Sequence, residues 1–316
     1  MEIGIGLPST NPGVTREQLL SWARRAEERG FHSVGTIDRL VWPGLEPMVA
    51  LSAAAAVTER VRLVTDVLLA PLRGNGALLA KQAASLDSIS GGRLTLGLGI
   101  GGRDDDFKAA GIPFERRGRQ MDELLLEMKR VWAGDKLGFD GAIGPPPARE
   151  DGPELLIGGY VEASTRRAAR FGDGFTVGGL PPDGAAHLAA QARQAWADAG
   201  REDTPRVMAL CYFALGDGAR QAADGYLKRY YAIMGTEGAE QVAQGAAVDE
   251  GMVQSYRDAY ADAGVDELIY FPCSPDPRQV DLLAGGGIVK CRGSHRLTRI
   301  RQRPSRPLRR RSFPPA

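Results

Sequence analysis

The chain has 316 residues, of which 43% are hydrophobic and 25% are charged, as in an ordinary soluble globular protein. The net charge of +1 is the sum of two regions of opposite charge. Residues 285–316 carry ten Lys or Arg and no acid. Residues 1–284 carry 30 basic and 39 acidic side chains, so their net charge is −9. This acidic body argues against binding to nucleic acid.

Short apolar segments alternate with helical patterns along residues 1–284, and each segment ends at glycine, proline or a polar loop, which is typical of buried strands. Thr15 and Gln18 have the spacing of a capping box at the start of the first helix, which Gly30 closes. The predicted strands are 2–8, 33–37, 62–69, 94–99, 154–159, 174–179, 207–215 and 267–272. The predicted helices are 15–30, 47–58, 77–90, 115–132, 163–171, 184–199 and 277–284, and a long, mainly helical section ends at residue 263.

This alternation predicts the fold class. Nearly all-apolar strands are buried on both faces, which implies a parallel sheet with crossover helices. Eight such units predict an α/β fold, a (β/α)8 TIM barrel over residues 1–284, with insertions after strands four and seven. A doubly wound sheet is the alternative, because the number of strands does not prove closure.

The basic C-terminal segment, residues 285–316, differs in composition from the rest of the chain. It is rich in Arg and Pro and has no apolar period, so we expect a disordered tail. An arm that binds RNA or a membrane and an extension without a function are both compatible with this composition.

The stretch 90–107, SGGRLTLGLGIGGRDDDF, places Gly97, Gly99 and Gly102 at the G-x-G-x-x-G spacing of dinucleotide-binding loops. That interpretation requires a helix opening at the third glycine and an acid at the end of a strand about 20 residues later. Here a charged run follows the glycines, and the later acids lie within a helical pattern. The glycines therefore indicate the carboxyl end of a strand that opens onto a ligand.

Functional residues of a barrel lie on the loops that follow its strands. Two of these loops resemble anion sites, because free backbone N–H groups and hydroxyls suit a phosphate. Their residues are Gly158, Gly159, Ser164 and Thr165 after strand five, and Gly178 and Gly179 after strand six. Tight turns and helix capping explain the same residues without a ligand.

Asp66 is unusual, because it is an acid late in an apolar strand and burying it without a partner is costly. We expect it either to face solvent or a ligand at the mouth of the barrel, or to pair with a nearby arginine such as Arg103 or Arg39.

Other catalytic constellations are weak. Three scattered cysteines are too few for a disulfide framework or a zinc site. Asp104–Asp106 is interpreted as a solvated loop rather than a metal site, and the histidines at 32, 187 and 295 form no triad with a nucleophile. An enzyme with so few acid–base groups is expected to take its chemistry from a cofactor. With no apolar run of 18 residues and no signal peptide, we expect a cytoplasmic protein that does not bind membranes.

Several segments in order along the chain resemble the bacterial luciferase-like flavin-dependent oxidoreductases. They are GFHSVGTIDRL (30–40), TERVRLVTDVLLAPLR (58–73), AKQAASLDSISGGRLTLGLGIG (80–101), the segment 107–123, and ELLIGG with AARFGDGF (154–175). The block LDSISGGRLTLGLGIG is the most specific of them.

The resemblance implies a barrel that binds FMN, or the deazaflavin F420, at the carboxyl ends of its strands. It also implies a non-prolyl cis peptide, which alignment through Pro71 places between Asp66 and Val67. The helix start at Ser164 and Thr165 resembles the phosphate-binding segment of the family, and Gly99 would lie beneath the flavin. Three arginines are candidate partners of the phosphate: Arg103, Arg117 and Arg119.

The chain departs from the family after strand two. Luciferases carry a pair of histidines where this chain has Arg39 and Leu40, and F420-dependent sugar-phosphate dehydrogenases carry Asp-His, of which only Asp38 is present. We therefore predict an oxidoreductase, a monooxygenase that acts on a small organic substrate with reduced FMN and O2, with Asp38, Arg39 and Trp42 at the catalytic site.

Two other functions stay open: an F420-dependent reductase or dehydrogenase, and a non-catalytic flavin-binding subunit. A separate flavin reductase would deliver the reduced FMN, or NAD(P)H would supply the hydride. A homodimer is expected, and no metal is predicted.

Overall fold

A computed structural model of the chain, which describes residues 1–135, 137–138 and 140–289, contains eight parallel strands in a closed barrel. Each strand pairs with the next along the chain, and the eighth pairs with the first, so the predicted (β/α)8 barrel is confirmed and the doubly wound alternative is wrong. The strands are β1 Glu2–Gly6, β2 Ser33–Thr36, β3 Arg62–Leu69, β4 Leu94–Gly99, β5 Glu154–Gly158, β6 Gly174–Thr176, β7 Arg206–Phe213 and β8 Glu267–Pro272.

Helices surround this barrel. They are α1 Arg16–Arg29, α2 Pro47–Ala55, α3 Gly76–Ser90, α4 Asp104–Ala110, α5 Arg117–Trp132, α6 Glu162–Phe171, α7 Pro182–Asp198, α8 Ala219–Tyr230, α9 Gly235–Gln244, α10 Glu250–Asp262 and α11 Arg278–Leu283. The capping box of α1 is confirmed: Gln18 N–H donates to Thr15 Oγ1 over 3.2 Å, and the Gln18 side chain accepts from Thr15 N–H over 2.9 Å. Gly30 ends α1 in the left-handed conformation that glycine adopts without steric cost.

The longest connections follow β4 and β7, at residues 100–153 and 214–266. The first contains α4 and α5, and the second contains α8, α9 and α10. At the C-terminal end, α11 continues through a π-helical turn, Ala284–Ile288, across the predicted boundary at residue 284. Residues 290–316 of the predicted tail lie outside the described residues.

The interpretation of Asp104–Asp106 as a solvated loop is wrong, because these residues form the first turn of α4. Carboxylates are favoured there by the helix dipole. Asp106 is fully buried, and its Oδ1 accepts the N–H groups of Leu40 and Val41 over 3.1 and 2.7 Å. Asp106 therefore holds the loop after β2, a role that the local run of acids does not reveal.

Charged side chains close the amino end of the barrel, where the strands begin. Arg206 pairs with both Glu267 and Glu154, and Arg62 lies 2.9 Å from Glu154. Glu267 is fully buried and also accepts a hydrogen bond from the Ser33 hydroxyl. These side chains come from β2, β3, β5, β7 and β8, so the network ties together strands that are distant in sequence.

Within the described residues, no three His, Cys, Asp or Glu side chains are grouped so as to hold a metal ion. None of the helices in this part of the chain is long and apolar enough to cross a membrane.

Candidate active site

The carboxyl end of β3 bulges at Asp66 and Val67. The peptide bond between them is cis, as the resemblance implied. Pairing with β4 shifts register between Thr65 and Leu68, so the two residues leave the regular ladder. Both side chains consequently reach strands further round the barrel.

Glycines on the neighbouring strands make room for this bulge. A Cβ atom on Gly99 would lie 2.6 Å from Val67 Cγ2, and one on Gly158 would lie 2.9 Å from Val67 Cγ1. On Gly97 it would lie 2.1 Å from the carbonyl oxygen of Thr65. The space at Gly99 is thus filled by the half-buried side chain of Val67.

Gly99→Ala is expected to lower the free energy of unfolding by about 1–3 kcal/mol, because Val67 must move from a packed position. Gly102→Ala is the matched control: no atom lies within 4 Å of the added Cβ and φ is ordinary, so a change within about 0.5 kcal/mol is expected. Combining Gly99→Ala with Val67→Ala should recover part of the loss, and additive effects in this double-mutant cycle would contradict the packing. Urea denaturation of the unmodified protein, the three single variants and the double variant measures these effects.

Asp66 lies almost completely inside the barrel, with 3% of its surface exposed. Its Oδ1 accepts a hydrogen bond of 2.7 Å from the hydroxyl of Thr176 at the end of β6, and its Oδ2 has no hydrogen-bond partner in the described part of the chain. The predicted pairing with Arg103 or Arg39 is wrong, since both guanidinium groups are engaged elsewhere. Burial raises the pKa of Asp66 to about 7; the Thr176 hydrogen bond opposes this shift and Glu267 adds to it.

Asp38 and Arg39, predicted to be catalytic, form ion pairs in the loop after β2. Asp38 Oδ2 accepts from Arg73 over 2.6 Å and from Leu69 N–H over 2.9 Å. Burial raises the pKa of Asp38, although Arg73 opposes the shift. Arg39 lies 2.8 Å from Asp106 Oδ2. The structure therefore places both side chains in contacts that fasten this loop to the end of β3 and to α4.

Trp42 belongs to an aromatic cluster over the carboxyl end of the barrel. Its Nε1 donates to the Thr10 carbonyl over 2.7 Å, and its ring meets that of Tyr230 edge-on, with centroids 4.9 Å apart. The other members are Tyr212 of β7 and Tyr226, Tyr230 and Tyr231 at the end of α8. The tyrosines were not predicted, although the spacing of four between Tyr226 and Tyr230 places them on one face of a helix.

Two hydroxyl pairs close this cluster. Tyr226 shares a hydrogen bond of 2.7 Å with Thr10, which follows β1, and Tyr212 shares one of 2.7 Å with Tyr231. Because the contacts join α8 to the loops after β1 and β2, the helix lies across the mouth of the barrel. The aromatic cluster therefore joins α8 to the carboxyl end of the barrel.

Arg103 contacts this cluster. Its Nη1 donates to the Tyr230 carbonyl over 2.8 Å, and its guanidinium lies 4.8 Å from the centre of the Tyr230 ring. Of the other two candidate cations, Arg119 pairs with Glu123 at the surface and Arg117 stacks on the Phe114 ring at 3.7 Å.

The predicted phosphate-binding segment lies at the start of α6. Ser164 Oγ donates to the Val161 carbonyl over 2.5 Å, and Thr165 Oγ1 donates to the Glu162 carbonyl over 2.9 Å. These hydroxyls thus bond to their own helix, while the first turn has no side-chain cap. Gly178 has φ of 62°, and Gly179 follows it in the loop after β6.

Unpaired polar atoms at the mouth suit a polar ligand. Ser9 Oγ, Asn11 Oδ1 and Asp66 Oδ2 are buried without a hydrogen-bond partner among the described residues. Buried polar atoms are normally paired, and Ser9 and Asn11 follow β1 at the same end of the barrel as Asp66. With the uncapped turn of α6, these atoms fit a ligand with a polar ring edge and an anionic group, as in a flavin nucleotide.

A family model described as luciferase-like monooxygenase matches residues 1–269. An uncharacterized protein of Mycobacterium tuberculosis is 36% identical over 50% of this chain and 57% of its own length, so the match spans little more than half of that relative. The F420-dependent glucose-6-phosphate dehydrogenase of Beutenbergia cavernae is 36% identical over 50% of this chain and 51% of its own.

Among solved structures, the monooxygenase RslO1 from Streptomyces bottropensis superposes with a TM-score of 0.77 and 26% identity. This likeness covers 90% of this chain and 98% of the other. Members of the matched family use FMN or F420.

Proposed function

The chain belongs to the luciferase-like monooxygenase family, and from this premise we propose that it oxygenates a small organic substrate with reduced FMN and O2. The observation that carries the proposal is the buried carboxyl of Asp66 at the bulge of β3, because its Oδ2 has no hydrogen-bond partner among the described residues. Reduced FMN, when bound, supplies the electrons with which O2 is activated.

The residues of the chain would bind and orient the flavin and shield it from water. Ser9, Asn11 and Asp66 would contact the polar edge of the ring, and the first turn of α6 would bind the phosphate. The aromatic cluster would exclude water from the site. A separate flavin reductase as the source of reduced FMN, and a homodimeric assembly, belong to this proposal.

An F420-dependent reductase or dehydrogenase is the second candidate. It is favoured by the Beutenbergia cavernae relative, whose name states that cofactor. The two candidates differ in the cofactor that binds and in the use of O2.

Titration of the purified full chain with FMN and with F420, followed by fluorescence, tests the proposal. We expect FMN to bind with a dissociation constant in the micromolar range, about −8 kcal/mol. With chemically reduced FMN and O2, an accepted substrate should be converted to a product that contains one more oxygen atom, whereas without substrate the electrons of reduced FMN pass to O2 and yield hydrogen peroxide. Binding of F420 alone would favour the second candidate, FMN binding without an oxygenated product from any substrate tested would indicate a non-catalytic subunit, and binding of neither cofactor would contradict the proposal.

A further inference from the structure

One oxygen of Asp66 is buried inside the barrel without a hydrogen-bond partner among the described residues. Oδ1 is occupied, because it accepts the Thr176 hydroxyl, whereas Oδ2 is buried and bonds to nothing described. An ionised carboxylate would need a donor at Oδ2, and a neutral acid would need an acceptor there. The surroundings decide between these two forms.

Apolar and negative groups surround this carboxyl. The neighbouring Val67 of β3 fills the space at Gly99 of β4 and Gly158 of β5, and none of these three residues carries a charge. Glu267, below it on β8, is the negative group that disfavours ionisation of Asp66.

Tyr160, in the loop after β5, is close enough to interact with Asp66 electrostatically, and it carries no positive charge. On the side of β2, Asp38 and Arg73 form an ion pair, and the Arg73 guanidinium is bound to both Asp38 and Glu46. No described cation contacts Asp66.

The neutral acid therefore suits the site better than the carboxylate. Its pKa of about 7 agrees with this geometry. With Oδ1 accepting from Thr176, the proton of a neutral Asp66 resides on Oδ2, which makes that atom a hydrogen-bond donor.

We propose that Asp66 binds the cofactor as a neutral acid and donates a hydrogen bond from Oδ2 to a carbonyl oxygen or an unprotonated ring nitrogen of the flavin. The inference rests on the proposed function, since it concerns the same ligand. It adds a requirement that the family membership does not contain: the ligand binds the protonated form of one named carboxyl.

A dependence of affinity on pH follows from this requirement. A ligand that binds only the protonated form must compete with ionisation, so its affinity falls as the pH rises through the pKa of Asp66. Between pH 6.5 and 8.5 the dissociation constant of FMN should increase about 25-fold. Binding at pH 8 should also take up close to one proton.

Asp66→Asn is the informative variant, because its amide group can donate to the same acceptor while its oxygen still accepts from Thr176. FMN should bind this variant with little dependence on pH. Asp87→Asn is the matched control: Asp87 is also buried, but it lies at the end of α3 and bonds Ala148 N–H over 2.8 Å. This control should keep the pH dependence of the unmodified protein.

Fluorescence titrations with FMN at several pH values measure the dissociation constants. Calorimetry in buffers of different ionisation enthalpy measures proton uptake by the unmodified protein, and that readout requires no variant to fold. FMN binding that is independent of pH and takes up no proton would overturn the inference and leave the proposed function standing. Absence of FMN binding at every pH would overturn the proposed function, and the inference with it.

Discussion

Replacing Glu267 with alanine is expected to lower the free energy of unfolding by about 3–5 kcal/mol. Glu267 is fully buried at the start of β8, where it binds the Arg206 guanidinium and the Ser33 hydroxyl. Its removal leaves a half-buried arginine with one partner fewer and a buried hydroxyl without an acceptor. The loss is large because the charge that remains was desolvated for a partner that is gone.

Guanidinium chloride denaturation measures this effect. Glu267→Gln keeps an acceptor for Ser33 and nearly the same volume, so we expect it to cost about 1–3 kcal/mol. Glu123→Ala is the surface control, because Glu123 pairs with Arg119 on the exposed face of α5 and such pairs contribute about 0–1 kcal/mol. Equal losses for Glu267→Ala and Glu123→Ala would show that the buried network does not stabilise the barrel.

The positions of the eight strands could be predicted from the sequence because of how a parallel barrel is buried. Both faces of each strand are covered, so a segment such as Arg62–Leu69 is a nearly continuous apolar run. The ends of the helices carry local signals as well, as the capping box of Thr15 and Gln18 shows.

Contacts between residues that are distant in sequence could not be predicted. Asp66 meets Thr176 across the barrel, 110 residues along the chain, and Asp106 meets the loop after β2. No local pattern marks either pairing. Three consecutive acids without a histidine argue against a metal site, but nothing in the run indicates that Asp106 binds the loop after β2.

The glycines of β4 show the same limit. Their spacing predicts that something comes close to the backbone, and the structure identifies it as the neighbouring strand β3: the Thr65 carbonyl at Gly97 and the Val67 side chain at Gly99. The aromatic cluster needed the position of α8 over the barrel, which depends on the whole insertion after β7. The predicted flavin contacts of Gly99, Ser164 and Thr165 stay predictions.

Asp66→Asn is expected to stabilise the fold by about 4 kcal/mol at pH 8, before any ligand is added. The pKa of Asp66 is raised from 3.8 to about 7 in the folded protein, and each unit corresponds to about 1.4 kcal/mol. Between these two values the folded state binds more protons than the unfolded state. Stability therefore falls as the pH rises from about 4 to 7 and is constant above that range, as far as this group is concerned.

The asparagine variant has no carboxyl to ionise at this position. The difference in free energy of unfolding between the variant and the unmodified protein should therefore be near zero at pH 4, increase with pH and become constant above pH 7. Denaturation of both proteins from pH 4 to 8.5 measures this curve, and a constant difference across the range would contradict it.

The network at the amino end provides an independent check. Since Glu267 disfavours ionisation of Asp66, Glu267→Gln should lower the pKa of Asp66 and reduce the gain from Asp66→Asn at pH 8. Burying Asp66 thus lowers the free energy of unfolding of the protein without ligand. A bound cofactor would offset this loss, because it would supply a hydrogen-bond acceptor for the proton on Oδ2.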